Sequence, residues 1–259
     1  MHMSDDNILS SAQGFDYFEE APEIDAGQFQ KVIDSRRSVR IYTDEKIPED
    51  ILYRCMENAL LAPNSSNLQP WEIYCIQDPE KRRSINYACL SQVAAKSAAA
   101  LFIMVARTAT WRDHAAEMVE LFNRREEKIP KAAFSYYKKI VPFVYTQGPF
   151  SILGFLKRLL YFFRGLSAPI IREPVSKKDM KLWASKTTAL AAENLMLSLR
   201  AYGYDSCPME GFDSKRIKKI LALPRDAAVV MVISAGKRAK GGIYGQRIRY
   251  DSKRFIKIV

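Results

Sequence analysis

The 259-residue sequence predicts a layered fold of strands and helices, α+β or α/β, and three observations lead there. The runs "WEIYCIQD", "ALFIMVA" and "AAVVMVISAG" have the length and the β-branched or apolar content of strands. Between them lie segments whose apolar residues recur at helical spacing. With 48% hydrophobic residues the chain has enough apolar surface for a full core, and no repeat, low-complexity run or linker divides it.

Residues 1–28 lack the basic n-region and apolar core of a signal peptide, so they are expected to form a loose arm rather than a secretory leader. Residues 29–259 are expected to form a single domain. Its first helix is "DAGQFQKVIDSRR", with Phe29, Val32 and Ile33 on one face, and a second follows Pro48 through "EDILYRCMENALLA". "WEIYCIQD" reads as a strand ended at Asp78-Pro79, and "EKRRSINYACLSQVAAKSAA" as one helical stretch. "ALFIMVA" suits a strand covered on both faces.

Residues 112–172 break the rhythm as a long insertion. It holds helical "RDHAAEMVELFNRREEK", a Tyr-rich turn "FSYYKKIVPFVYTQGP", and apolar "FSILGFLKRLLYFFRGL", which Lys157, Arg158 and Arg164 interrupt. Two readings compete for this last piece: a lid or dimer-contact hairpin, which is favoured, and an amphipathic helix on a membrane surface. A long helix from about Asp179 to Tyr202 closes at Gly203; "SKRIKKILAL" is a helix, "AAVVMVISAG" a buried strand, and the rest a basic tail.

The formal net charge of +11 invites a polyanion-binding reading, but the basic residues are spread through helical segments where a solvated face explains them. A nucleic-acid partner is therefore not expected. Cys55, Cys75, Cys89 and Cys207 are scattered without C-x-x-C spacing, and only His2 and His114 are present. Reduced thiols in a cytosol fit this better than zinc or a disulfide framework. Ser-His or Cys-His nucleophilic catalysis would have to recruit His114.

Three motifs carry chemistry. "RRSVR" gathers Arg36, Arg37, Ser38 and Arg40, which suit either a phosphate cradle or a solvated basic helix end. "APNSSNLQPW" sets Asn64, Ser65, Ser66, Asn67 and Gln69 between prolines, as either the polar edge of a heteroaromatic site or an ordinary turn cluster. In "CPMEGFD", Gly211 permits either a positive φ or close approach of a backbone N–H to a flat ligand. Arg247 and Arg249 reach the first arginines if the basic tail folds back.

In this order and spacing, "RRSVR", "APNSSNLQPW", "PMEGFD" and the terminal "RIR" resemble the FMN-dependent nitroreductase family from about residue 29 to 250. The resemblance implies an α+β three-layer fold, with a mixed, mostly antiparallel sheet flanked by helices, in an intertwined homodimer with FMN at the subunit interface. It implies that Arg36, Arg37, Ser38 and Arg40 bind phosphate and ribityl, with Arg247 and Arg249 as the basic pair near the end of the pattern. It implies further that Asn64, Ser65 and Asn67 reach the flavin of the other subunit. Pro208, Glu210 and Gly211 would lie against the ring with a backbone N–H at N5, and Gln92 would touch its edge. Asn64 stands where the family often has serine, and the insertion is longer than in compact members.

No catalytic side chain is expected, because a preorganised amide favours charge build-up on the flavin without titrating. The implied activity is ping-pong reduction of a nitroaromatic or quinone-like small molecule by NAD(P)H. Trp111, Tyr136, Tyr137, Phe143, Phe150 and Phe155 are candidates to line the acceptor pocket, against the commoner fate of core packing. The alternatives are a related flavoenzyme (dehydrogenase, dehalogenase or flavin-modifying) and a basic module for nucleic acid or a membrane surface.

Overall fold

The computed structural model describes residues 17–127 and 129–259. Most of the expected arm, and His2 with it, lies outside the described residues. Helix α1 (Ala26–Ser35) starts at Asp25, whose carboxylate accepts from Gln28 N, and it buries none of its residues within the chain. α2 (Glu49–Leu60) follows Pro48 and buries Leu52, Cys55 and Ala59. Strand β1 (Trp71–Cys75) stops short of Asp78, which caps α3 (Pro79–Ala88) by accepting from Lys81 N.

The single helical stretch expected next is two helices. Leu90 and Ser91 take left-handed backbone (φ 57° and 53°), which no α-helix passes through, and the chain resumes as α4 (Val93–Ser97). Then come β2 (Ala100–Arg107) and α5 (Trp111–Arg124).

The expected Tyr-rich turn is also helical. α6 (Lys131–Ser135), one π turn (Tyr136–Ile140) and α7 (Val141–Tyr145) run on without a break. The wider turn just ahead of Pro142 suits a residue that has no N–H to give. α8 (Ile152–Arg164) completes the excursion, and α9 (Lys177–Ala201) begins at Ser176, whose hydroxyl accepts from Asp179 N.

β3 (Asp205–Met209), α10 (Ser214–Ile220) and β4 (Ala227–Gly236) close the body. The strand order is β1-β2-β4-β3, and all three pairings are antiparallel. Among the described residues, the parallel component of the expected mixed sheet is a single bridge, Ser38 to Ser206.

The sheet is the middle of three layers. β2 sends Leu101, Ile103 and Val105 to one face, where Ile85, Ala95 and Ile217 of α3, α4 and α10 pack. Its alternate residues, Phe102 and Met104, meet Cys55 of α2 and Ala191, Leu195 and Leu199 of α9 on the other. Period-two alternation with both sets apolar is what lets one strand anchor two helical layers. At the sheet's end Arg107 joins Asp226 (Nε to Oδ2 3.0 Å) and Glu72. The charge of Arg107 and the N–H of Ala109 outweigh the desolvation of Asp226 and hold its carboxyl below the usual range.

Candidate functional site

The chain leaves α1 as "RRSVR" in extended form beside the edge strand β3. Ser38 bridges Ser206, and Val39 N donates to Ser206 O at 3.1 Å. The tail folds back over this stretch: Arg40 N donates to Gly242 O at 2.8 Å. A Cβ on Gly242 would stand 2.5 Å from Ile41 O, so the return pass needs glycine there.

Side chains then lock the two ends of the chain together. Arg37 Nη2 donates to Gly245 O at 2.6 Å, and Arg247 Nη2 donates to Asp34 O and Arg36 O at 2.7 and 2.6 Å. The Arg40 guanidinium lies 4.9 Å from the centre of the Tyr244 ring. Among the described residues, the one carboxylate paired with these four arginines is Glu193, 4.0 Å from Arg36. The result is a cationic edge short of countercharge. Arg249 is not brought to it; its guanidinium donates to Ile248 O at 2.9 Å.

β3 leads away from this edge. From Ser206, beside Ser38, it runs through Pro208 to Met209, and Glu210 and Gly211 follow, both exposed. Gly211 does not take a positive φ, so the second of the two expected reasons for glycine, close approach, is the one left. Its N–H donates to no acceptor among the described residues, while its carbonyl accepts from Gln92 Nε2 at 2.7 Å. Gln92 also donates to Cys89 O, so it fixes the Gly211 peptide from behind. A backbone donor held in place and left open is the outcome.

The loop of Asn64, Ser65 and Asn67 faces elsewhere. Its hydrogen bonds run to the excursion: Ser65 Oγ to Tyr145 OH at 3.2 Å, and Ser66 Oγ to Tyr136 OH at 2.6 Å. Tyr137 OH donates to Ser66 O at 2.9 Å. Asn64 Oδ1 accepts from Gln69 N at 2.8 Å, and Ser66, Asn67 and Gln69 all have positive φ. The backbone is thus held in a conformation that costs energy and leaves Ser65 and Asn67 exposed.

Beside this loop, Tyr136, Tyr145 and Trp183 line a cleft of about 180 Å³. Of the six candidate aromatics Tyr136 lines this cleft, Trp111 lines a second one of about 870 Å³, and Phe143 lines a third. Trp111 is buried in the cluster under the first cleft with Tyr137 packed against that cluster, and Phe143, Phe150 and Phe155 are exposed. Tyr145 and Trp183 were not foreseen; a lone aromatic in a helical run carries no mark of which face it will take. His114 is spent on structure, 2.7 Å from Leu68 O. The four cysteines are free, and burial pushes Cys55 and Cys89 up to about 11, away from thiolate chemistry.

Residues 33–237 match the Nitroreductase family. A protein of Thermus thermophilus named NADH dehydrogenase is 28% identical over 215 residues, covering 82% of this chain and 88% of its own. A nitroreductase-like protein of Streptococcus mutans shares the fold with a TM-score of 0.69 at 21% identity, over 90% of this chain and 98% of the other. A protein of Exiguobacterium sibiricum solved in complex with FMN has a TM-score of 0.62 at 21% identity, over 93% and 99%. Three helical and sheet layers, an end-to-end arginine clasp and a match over residues 33–237 converge: this chain belongs to the nitroreductase family.

Proposed function

We propose that this chain is an FMN-dependent oxidoreductase that uses NAD(P)H to reduce flat, electron-poor acceptors of the nitroaromatic or quinone type. The observation that carries the reading is the open N–H of Gly211, joined by β3 to an arginine-rich edge. A ligand with an anionic end and a ring rich in acceptors matches that pair of features. The FMN-bound relative and the relative named for NADH support the choice of cofactor and donor.

In this reading Arg36, Arg37, Arg40, Arg247 and the Ser38 hydroxyl hold phosphate and ribityl oxygens. Pro208 and Glu210 flank the ring, and Gly211 N–H, oriented through Gln92, donates to it where negative charge builds. Bound FMN supplies hydride acceptance and release at its ring. No side chain in the set has to lose or gain a proton, which suits a chain whose one described histidine serves the fold. Donor and acceptor occupy the same open face in turn, a ping-pong order.

Ser65 and Asn67 are exposed and bonded to Tyr145 and Asn64 rather than to the arginines of their own chain, so we assign them to the flavin of a second copy. Unburied Phe29 and Ile33 on α1 support a homodimer. The single domain of residues 29–259 with its 112–172 insertion is part of the same proposal.

The test is titration of apo protein with FMN, followed by NADH and NADPH oxidation with nitrofurazone and menadione. Stoichiometric FMN binding and parallel double-reciprocal plots are expected. Protein that takes up no FMN would sink the reading.

A further inference from the structure

Helix α8 turns its apolar side outward, unlike α2, α3 and α9, which bury theirs against the sheet. It buries Gly154, Lys157 and Tyr161 and exposes Ile152, Phe155, Leu156, Leu159, Leu160, Phe162 and Phe163. Lys157, only 3% exposed, donates to the carbonyls of Phe143, Val144 and Thr146 at and just beyond the end of α7. Gly154 lies so close to the chain that a Cβ there would be 2.1 Å from Val175 O. The polar, small side is clamped to the protein, so the apolar side cannot roll inward.

The charges of the segment that carries this face have one sign. Residues 129–172 contain no Asp or Glu, while Lys131, Lys138, Lys139, Arg158, Arg164 and Arg172 are all in that span. At 3.6 residues per turn, Arg158 and Arg164 fall on opposite borders of the exposed apolar arc. Phe150, 93% exposed, and Leu166, 73% exposed, extend the arc past both ends of the helix.

We propose that α8 docks the protein on an anionic lipid surface, lying in the headgroup plane with its phenylalanines and leucines inserted. Helices that lie in this plane pair an apolar face with basic borders, and Arg side chains reach from those borders to lipid phosphates. A second copy is the weaker occupant, because pairing this face with itself would bring two acid-free, basic segments together. Spanning is ruled out by length: 13 residues of helix extend about 20 Å, short of the roughly 30 Å hydrocarbon core. In the sequence a lid or dimer-contact hairpin was the favoured reading of this segment; the outward apolar face with its basic borders shifts the weight to the surface helix.

The test is co-sedimentation of the full-length protein, purified with whatever flavin it carries, with vesicles of phosphatidylcholine alone or mixed with phosphatidylglycerol. Binding to the mixed vesicles that weakens with salt is expected, and Phe155→Ser with Phe163→Ser should reduce it roughly tenfold or more. Both positions are exposed, so an unchanged melting temperature shows that the variant is folded. The proposal is overturned by wild-type protein that stays in the supernatant, or by a folded variant that binds as well as wild type. It is overturned equally if the variant changes the sedimentation coefficient without vesicles, which would give the face to a second copy.

Discussion

In the layered body, β2 buries both sets of its alternating side chains, and α9 turns Ala191, Leu195 and Leu199 into the sheet. In the excursion from α5 to α8, the buried residues include a lysine and the exposed ones include all of α8's leucines and phenylalanines. Both regions obey hydrophobic periodicity, yet the period reports a buried face in one and an outward face in the other. The periodicity of a helix states that it has an apolar side; what covers that side is decided by the rest of the chain, or by something outside it.

The sharpest break between the two regions is in stability. Phe102→Ala, at a fully buried position of β2, is expected to cost about 3–5 kcal/mol in urea unfolding, because the close-packed layers leave the cavity unfilled. A much smaller loss would mean that the body is looser than its burial indicates.

Ligand affinity separates the regions next. Arg37→Ala should weaken FMN binding by about 1.5–3 kcal/mol through loss of a charge-assisted bond, read by flavin fluorescence titration. Phe163→Ala on α8 should leave that affinity unchanged. Equal losses at both positions would show that the cofactor edge extends into the excursion.

A third prediction concerns acid. Asp226 has a depressed folded-state pKa, so its contribution to stability is fully present above the usual carboxylate value and is lost as pH falls through the folded value. Asp226→Asn is expected to cost about 1–2 kcal/mol at neutral pH, with the gap to wild type closing below about pH 4 in paired thermal melts. A gap that persists in acid would assign the loss to packing instead of charge. The smallest effect belongs to Phe155→Ala, expected within about 0.5 kcal/mol of wild type because the ring is already in solvent. A larger loss would show that α8 is covered in solution.

Sequence reading reached the body more fully than the excursion for the same reason. β1, β2 and β4 announce themselves by continuous apolar or β-branched runs; Asp78 was read as a strand end and also caps α3, while the caps Ser176 and Asp213 came from the structure. β3 went unread because "DSCPM" holds a proline. Only the final position of β3 at the sheet edge makes Pro208 tolerable, and order within a sheet is not written in local pattern.

At the candidate site the motif residues were legible and their partners were not. Arg37 and Arg247 could be named, but they are held by the carbonyls of Gly245, Asp34 and Arg36, and every residue type has a carbonyl. Gln92 was expected from the family pattern at the flavin's edge; its bond to the Gly211 carbonyl was not read from the sequence.

The clasp between Arg37 and Gly245 joins residues 208 positions apart. A chain emerging from the ribosome presents Arg37 early and must wait for nearly all of its remaining length before the closing carbonyl exists. Local helices can form meanwhile, but the arginine edge acquires its geometry only when that long loop shuts, the slowest class of contact for a folding chain. Under the proposed role of the clasp, cofactor capture becomes a late checkpoint on synthesis: a product broken off before Gly245 can hold a sheet and a core and still have no clasp.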